Sequence, residues 1–447
     1  MIEGPRYRKP ADRVMKGQEH NRRKGRIVTI LPSFPGNSPF LFNKFLGLID
    51  RGLDMQMVCL GGGAEWGSLS PKQLDASVRS RVRFSWPTDS RWRVVLLLPF
   101  VLLRCLRQNF QGSCRYLRAG WRRFGINVVR RLYLDAEIVC SRPDIIHFEF
   151  GPLAVGRMYL RQLLGCKAVV SFRGYDLNFV KLDQRDYYRQ IWQQADAIHL
   201  LGEDLWRRAQ ARGCPTDKPH VLIPPAIDVE FFTPQLRKSH GDVGTAERPL
   251  RILSVGRLVW KKGYEYGLEA VRLLLDQGVH CEYRVIGDGD YFEAVTFVAH
   301  QLGLTDRVKL LGELSPQEVK EQMGWADLFL HPAVSEGFCN AVLEAQAMTL
   351  PVVCTDADGL PENVVDGVTG FVVARRSPKA LADEMNRLAR YALLRERMGN
   401  VGRARIVKKF RLSDQIEAFE RLYVDLLSSP AAEQESALNR TEIAHAG

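Results

Sequence analysis

The sequence predicts an α/β fold of two doubly wound domains facing each other across a cleft. Three observations predict it: short apolar runs alternate with helix-length segments in both halves, nearly every run ends in Gly or polar turn residues, and a polar stretch at 233–248 separates the halves. The chain has 447 residues, 46% hydrophobic and 26% charged, enough for two or three domains with large cores.

Residues 1–24 are polar, basic and aperiodic and read as a flexible arm, so the first domain is expected over 25–232. Its opening strand is Arg26 to Leu31, followed by turn chemistry at 32–38 and a helix from about Pro39 to Arg51. A second strand begins at Asp54. Between 91 and 134 the composition shifts: ten arginines and seven aromatics are interleaved without one acid. Apolar and cationic residues mixed at helical spacing fit surface helices lying on an anionic bilayer, and equally fit solvated helix faces around an ordinary core. A strand ending near His147 and another over 168–172, ending in Arg173-Gly174-Tyr175-Asp176, should point their carboxyl ends at the cleft, where sheets of this kind bind ligands. A lone histidine at a strand end, as His147 is, is more often structural than catalytic.

The second domain is expected over 249–412, opening on the strand Arg251 to Val255, with Gly256-Arg257 and Lys262-Gly263 in the loop behind it. Further runs end in Gly287-Asp288-Gly289 and at Gly312. Leu328 to Val334 reads as a buried parallel strand, Ser335-Glu336-Gly337 as a turn, and 339–349 as a helix. A last helix is expected over 413–427, with a disordered tail at 428–447.

Glu336 and Glu344 stand eight positions apart across that strand-to-helix turn. The neighbours of Glu344 are almost all apolar, and an ionised acid buried without donors costs roughly several kcal/mol, so it needs a cation or a ligand carrying hydroxyls. Amides of the first helical turn, around Gly337, Phe338, Cys339 and Asn340, would face the same space, and a helix N-terminus attracts phosphate. The plain alternative is a capping glutamate and an internal ion pair.

The surrounding residues resemble the donor-site signature of the family 4 glycosyltransferases: Ser335-Glu336-Gly337-Phe338, Glu344-Ala345, Pro351-Val352-Val353, then Gly359-Leu360-Pro361-Glu362, closed by Asp366-Gly367 and Gly370. That resemblance implies a GT-B fold of two Rossmann-like domains, the first taking the acceptor and the second the donor, with the last helix crossing back onto the first domain. It also implies retaining transfer of a sugar, of the hexosyl class, from a nucleotide-sugar donor. Arg257 and Lys262 would clamp the diphosphate, Glu336 would contact the sugar and Glu344 the ribose hydroxyls, with Gly256 and Gly287 in the donor-side loops. Arg173 stands where the family usually has a histidine beside the donor sugar, in Arg-Gly-x-Asp ending at Asp176; a guanidinium there could contact the donor phosphates. Thr349 and Asp358 stand where the family usually has glycine, and Pro35-Gly36-Asn37-Ser38 resembles a Pro-x-x-Ser loop of part of the family.

No cofactor or metal is expected: two cations and a helix dipole already face the phosphates, and the nearest paired carboxylates are Asp356 and Asp358. The acceptor is expected to be lipid-linked or a polysaccharide, as in exopolysaccharide or lipopolysaccharide assembly. Nine scattered cysteines indicate neither a disulfide framework nor zinc, and the N-terminal ten residues lack a signal-peptide core. The longest apolar run has ten residues where a spanning helix needs about 20. The expectation is a cytoplasmic protein, peripheral on the cytoplasmic membrane face. A net charge of +12 asks for an anionic partner: nucleotide phosphates and an anionic membrane surface are expected, and nucleic acid is not, for want of a binding motif. Two alternatives remain from the residues, a GT-B nucleotide-sugar epimerase and a non-catalytic nucleotide-sugar-binding protein.

Overall fold

The computed structural model describes residues 25–34, 39–61, 75–234 and 241–428. The basic arm, the loop 35–38 and the tail beyond 428 lie outside the described residues.

Seven parallel strands form the first sheet: β1 Arg26–Leu31, β2 Asp54–Cys59, β3 Val82–Phe84, β4 Ile145–Phe148, β5 Lys167–Phe172, β6 Ala197–Leu200 and β7 His220–Leu222, in the order β3-β2-β1-β4-β5-β6-β7. Six more form the second: β8 Leu250–Val255, β9 Cys281–Ile286, β10 Val308–Leu310, β11 Leu328–His331, β12 Val352–Thr355 and β13 Gly370–Val373, in the order β10-β9-β8-β11-β12-β13. Strands such as β4, β11 and β12 are buried at every residue, as apolar runs covered on both faces by helices must be. In each sheet the order reverses once, between β1 and β4 and between β8 and β11, and these switch points are where such sheets open a ligand crevice.

The helix Leu412–Ser428 starts beside the second sheet and packs on the helix Pro39–Asp50 of the first half, with Ile416, Phe419, Leu422 and Tyr423 joining Phe42, Phe45 and Leu48 in one core. A directed chain of hydrogen bonds fixes it. His199 Nε2 faces the carbonyl of Ile223 at 2.9 Å and therefore donates; its Nδ1 accepts from Ser171, whose oxygen accepts from His147 Nε2, leaving His147 Nδ1 to accept from the Tyr423 hydroxyl at 2.6 Å. Both rings must be neutral for this. Burial lowers both, His147 to about 3.

One strand was not foreseen and two expectations are corrected. First, β3 has three residues with Arg83 at its centre, and nothing in the sequence announced it. Second, 241–248 is not a free linker: Val243 is buried and donates its amide to Ala389, and Arg395 holds the Gly241 carbonyl. Third, the first domain does not extend to 232, because Ile227, Val229 and Phe232 enter the core of the second sheet beside Leu253 and Phe329. The basic segment folds as the helices Arg91–Gln108, Phe110–Phe124 and Asn127–Leu134, held on the first core by Val101, Cys105, Tyr116 and Leu132. Among the described residues no helix is long and apolar enough to cross a membrane. All nine cysteines are free.

Candidate active site

The switch point of the second sheet brings together loops far apart in sequence. β8 ends at Val255, the chain passes Gly256 and Arg257, and a single turn at Trp260–Lys262 returns Lys262 toward the end of β11. The tight approach requires glycine: Gly287, at φ 135°, lies so close to Gly256 that a Cβ would stand 2.2 Å from the Gly256 carbonyl oxygen.

Lys262 is ion-paired with Glu336, and both side chains are largely buried. His331, at the end of β11, lies with Nε2 3.4 Å from the same carboxylate and Nδ1 4.0 Å from Cys339 Sγ. Burial alone would raise the Glu336 carboxyl, but Lys262 and His331 outweigh it and hold it well below the usual carboxylate range. The pair thus supplies the internal partner that a buried acid needs. Arg257 is exposed at the same mouth and makes no ion pair among the described residues.

His331, Glu336 and Cys339 offer three metal-ligating atoms within 4.8 Å of one another. Opposite ring nitrogens of His331 serve the thiol and the carboxylate, and the Lys262 ammonium already neutralises Glu336. Asp356 and Asp358 are likewise engaged, both by Arg375.

The helix Asn340–Ala347 begins just past the turn. Its Cys339 amide donates to Asn363 at 3.3 Å, a correction to the expectation that this amide is open to phosphate; Phe338 and Asn340 are the neighbouring amides not tied to Asn363. Phe338 itself packs against Phe410 and reaches both cores. Glu344, half-buried about one turn along, has no partner among the described residues, and burial pushes its carboxyl up to about 7. A carboxylate left this way is an acceptor awaiting donors.

The first half meets this turn backbone to backbone. A Cβ on Gly337 would stand 2.5 Å from the Gly174 Cα, so neither position tolerates a side chain without parting the halves. Arg173 beside it is pinned inside the first half: its guanidinium reaches the Glu149 carbonyl and carboxylate at 3.3 Å and lies over the rings of Phe40 and Phe150. Lys44 takes the other Glu149 oxygen. Asp176 is buried and its carboxylate accepts from the Gly151 and Arg173 amides, so it shapes the loop and has no face on the cleft. Burial lifts it to about 6 despite those bonds. The structure therefore brings Gly256, Arg257, Lys262, Gly287, Glu336, Gly337 and Cys339 together, with Glu344 on the adjoining helix, and places Arg173 and Asp176 in the opposing wall.

Sequence reasoning missed three parts of the site. His331 sits in the apolar run Leu328–His331, where a polar residue at a strand's carboxyl end was a usable signal. Asn178 and Arg208, which reach across to Asp358 at 2.9 Å each, carried none.

Two doubly wound halves, with a cation-lined switch point in the second and a helix returning to the first, define the GT-B class of transferases. Comparison with known proteins agrees. The profile described as "Glycosyl transferases group 1" matches residues 237–405. A protein assigned by its name to colanic acid biosynthesis, the glycosyltransferase WcaL of Escherichia coli K12, is 30% identical over 384 residues, covering 80% of this chain and 89% of that protein. The amylovoran biosynthesis glycosyltransferase AmsK of Erwinia amylovora is 28% identical over 376 residues, 80% of this chain and 88% of the other. Among solved structures, Anabaena Alr3699/HepE in complex with UDP-glucose superposes with a TM-score of 0.66 at 15% identity, covering 90% of this chain and all of that one, which speaks for the fold. The chain belongs to the group 1 glycosyltransferases, family 4, and is a glycosyltransferase.

Proposed function

We propose that the protein moves a hexosyl group, with retention at the anomeric carbon, from a nucleoside-diphosphate sugar to a lipid-linked or polysaccharide acceptor in the assembly of an exopolysaccharide or lipopolysaccharide. The observation that carries this reading is the charge layout of the second switch point: Lys262 on Glu336, Arg257 unpaired at the mouth, and Glu344 without a partner on the adjoining helix. Relatives named for colanic acid and amylovoran biosynthesis support the acceptor class, and neighbours solved with UDP and UDP-glucose support the donor class.

In the transfer, the bond from the anomeric carbon to the β-phosphate oxygen breaks as the acceptor oxygen bonds to that carbon from the same face. The acceptor proton leaves with the departing phosphate. Negative charge grows on the phosphate oxygens and positive charge on the sugar ring. Arg257, Lys262 and the amides of Phe338 and Asn340 face the first, and Glu336 the second; such preorganised charges stabilise a transition state without reorganisation. Ribose hydroxyls would give Glu344 its missing donors. No metal takes part in this scheme, since Lys262 and Arg257 supply the positive charge. The reaction is placed at the cytoplasmic face of an anionic membrane, to which arginines 91–131 would be drawn.

The test is a thermal-shift screen of the full chain against UDP-, GDP-, ADP- and dTDP-sugars, because a ligand of the native state raises its stability. Turnover of the stabilising donor follows, with the anomeric configuration of the product read by NMR. Stabilisation by a donor without glycosyl transfer or donor hydrolysis would leave a binding protein. An inverted product would overturn retention.

A further inference from the structure

The helix Arg91–Gln108 is apolar on both sides. One face enters the first core through Val101 and Cys105, with Val94, Leu97, Leu98 and Leu102 packed beside them. On the other face Trp92, Val95, Leu96, Phe100 and Leu103 are 84, 62, 79, 59 and 49% exposed. Their spacing places them on one side of the helix, in a continuous stripe. Single exposed apolar residues are ordinary, but a contiguous stripe of this size marks a surface that meets something.

Charge selects the occupant. Exposed Arg91 stands at one end of the stripe, beside Arg93 paired with Asp89, and Arg107 at the other, and the next two helices add exposed Arg115, Arg118, Arg122 and Arg123 around Trp121 and Ile126. No acid occurs between 91 and 134. A second copy would set arginine against arginine. A bilayer with anionic headgroups offers both an apolar layer for the stripe and negative charge for its rim. Since no described helix is long and apolar enough to cross, the helix must lie in the plane.

We propose that the helix Arg91–Gln108 is embedded in the headgroup and upper acyl region of an anionic membrane, with Trp92, Val95, Leu96, Phe100 and Leu103 below the phosphates, so that insertion and not charge alone holds the enzyme there. This rests on the membrane reading given above and deepens it. A lipid-borne acceptor would then reach the first half by sliding within the bilayer plane.

Full-length protein is mixed with phosphatidylglycerol/phosphatidylcholine vesicles and sedimented in 0.1 M and 0.5 M salt (about the range over which screening of surface charge tightens sharply). Tryptophan quenching by lipids brominated along the acyl chain is read in parallel. Expected for the wild type is a bound fraction that persists in high salt, with quenching that Trp92→Phe cuts by about half. Val95→Glu/Leu96→Glu changes two side chains outside the core, so its melting curve should match the wild type, while high-salt binding falls at least about tenfold. Changing Arg115, Arg118, Arg122 and Arg123 to Gln should remove mainly the low-salt gain. Complete release by salt without quenching overturns insertion while leaving charge-driven attachment standing. No binding to any vesicle overturns both. Concentration-dependent dimers that Val95→Glu/Leu96→Glu abolishes would assign the stripe to a second copy and overturn the proposal.

Discussion

Asp358 joins the two halves of the molecule: its Oδ1 accepts from Arg208 Nη2 of the first half at 2.9 Å, while its Oδ2 accepts from the backbone amide of Glu336 at 3.2 Å. Asn178 at 2.9 Å, Arg375 at 3.1 Å and the Ser335 hydroxyl complete its shell. The residue sits at φ 51°, in the left-handed region. Asp358→Gly should relax that backbone and lose the bonds, whereas Asp358→Ala loses the bonds and keeps the strain, costing about 1 kcal/mol more. Both should raise KM for donor more than they lower kcat, because the Ser335–Glu336 turn loses its tether. Equal melting temperatures for the two variants would dismiss the strain argument, and unchanged donor KM the tether.

Removing the phosphate-facing cations should cost turnover by the loss of about 2 to 4 kcal/mol of transition-state stabilisation each. Arg257 is exposed, so Arg257→Ala should melt like the wild type and differ only in kcat. Lys262→Ala also strands the buried Glu336 carboxylate, and the ligand-free protein should lose stability as well. Steady-state kinetics and thermal melts of the two variants separate these effects; wild-type kcat in a folded Arg257→Ala protein would sink the clamp.

Glu344 should show opposite signs in stability and binding. Its folded carboxyl titrates near 7 against an ordinary 4.5, so ionising it weakens the ligand-free fold: the penalty is absent below pH 4.5, grows from there to about 7, and is complete above. At 1.36 kcal/mol per pH unit this is at most about 3 kcal/mol, less for partial exposure. Glu344→Gln should therefore match the wild type at pH 4, exceed it in denaturant melts at pH 8, and bind donor more weakly. Donor affinity of the wild type should improve as pH rises through 7. Donor binding by Glu344→Gln equal to the wild type's would remove the ribose assignment.

Activity should survive a chelator. Asp356 and Asp358 are held by Arg375, and Glu336 by Lys262, so none of these three carboxylates is free to recruit a cation to the diphosphate. Loss of turnover in EDTA, restored by magnesium or manganese, would reverse this.

Much of the fold was legible because buried parallel strands are continuous apolar runs, and β8, β11 and β12 announce themselves that way. β3 escaped because three residues with a central arginine carry no pattern. Ile227, Val229 and Phe232 are plainly apolar, yet nothing local says which of two cores they enter. In the site, the residue types at Glu336, Glu344, Arg257 and Lys262 were visible as motifs, but the pairing of Lys262 with Glu336 spans 74 residues and the bond from Asn178 to Asp358 spans 180. The first contact exists only once the second sheet is wound, and the second only once the two halves have docked.

The return of the last helix limits how this enzyme can be recombined. A chimera that exchanges everything after the linker would import a foreign helix in place of Leu412–Ser428, and with it a foreign residue opposite His147 where Tyr423 now donates. The recipient half would then hold a buried imidazole with one nitrogen unanswered, and Gly47 opposite a residue other than Ile416. Donor specificity is therefore portable only as an internal cassette, grafted between about 226 and 411 with both ends of the chain left native. A library built that way should yield folded hybrids far more often than one cut once at the linker.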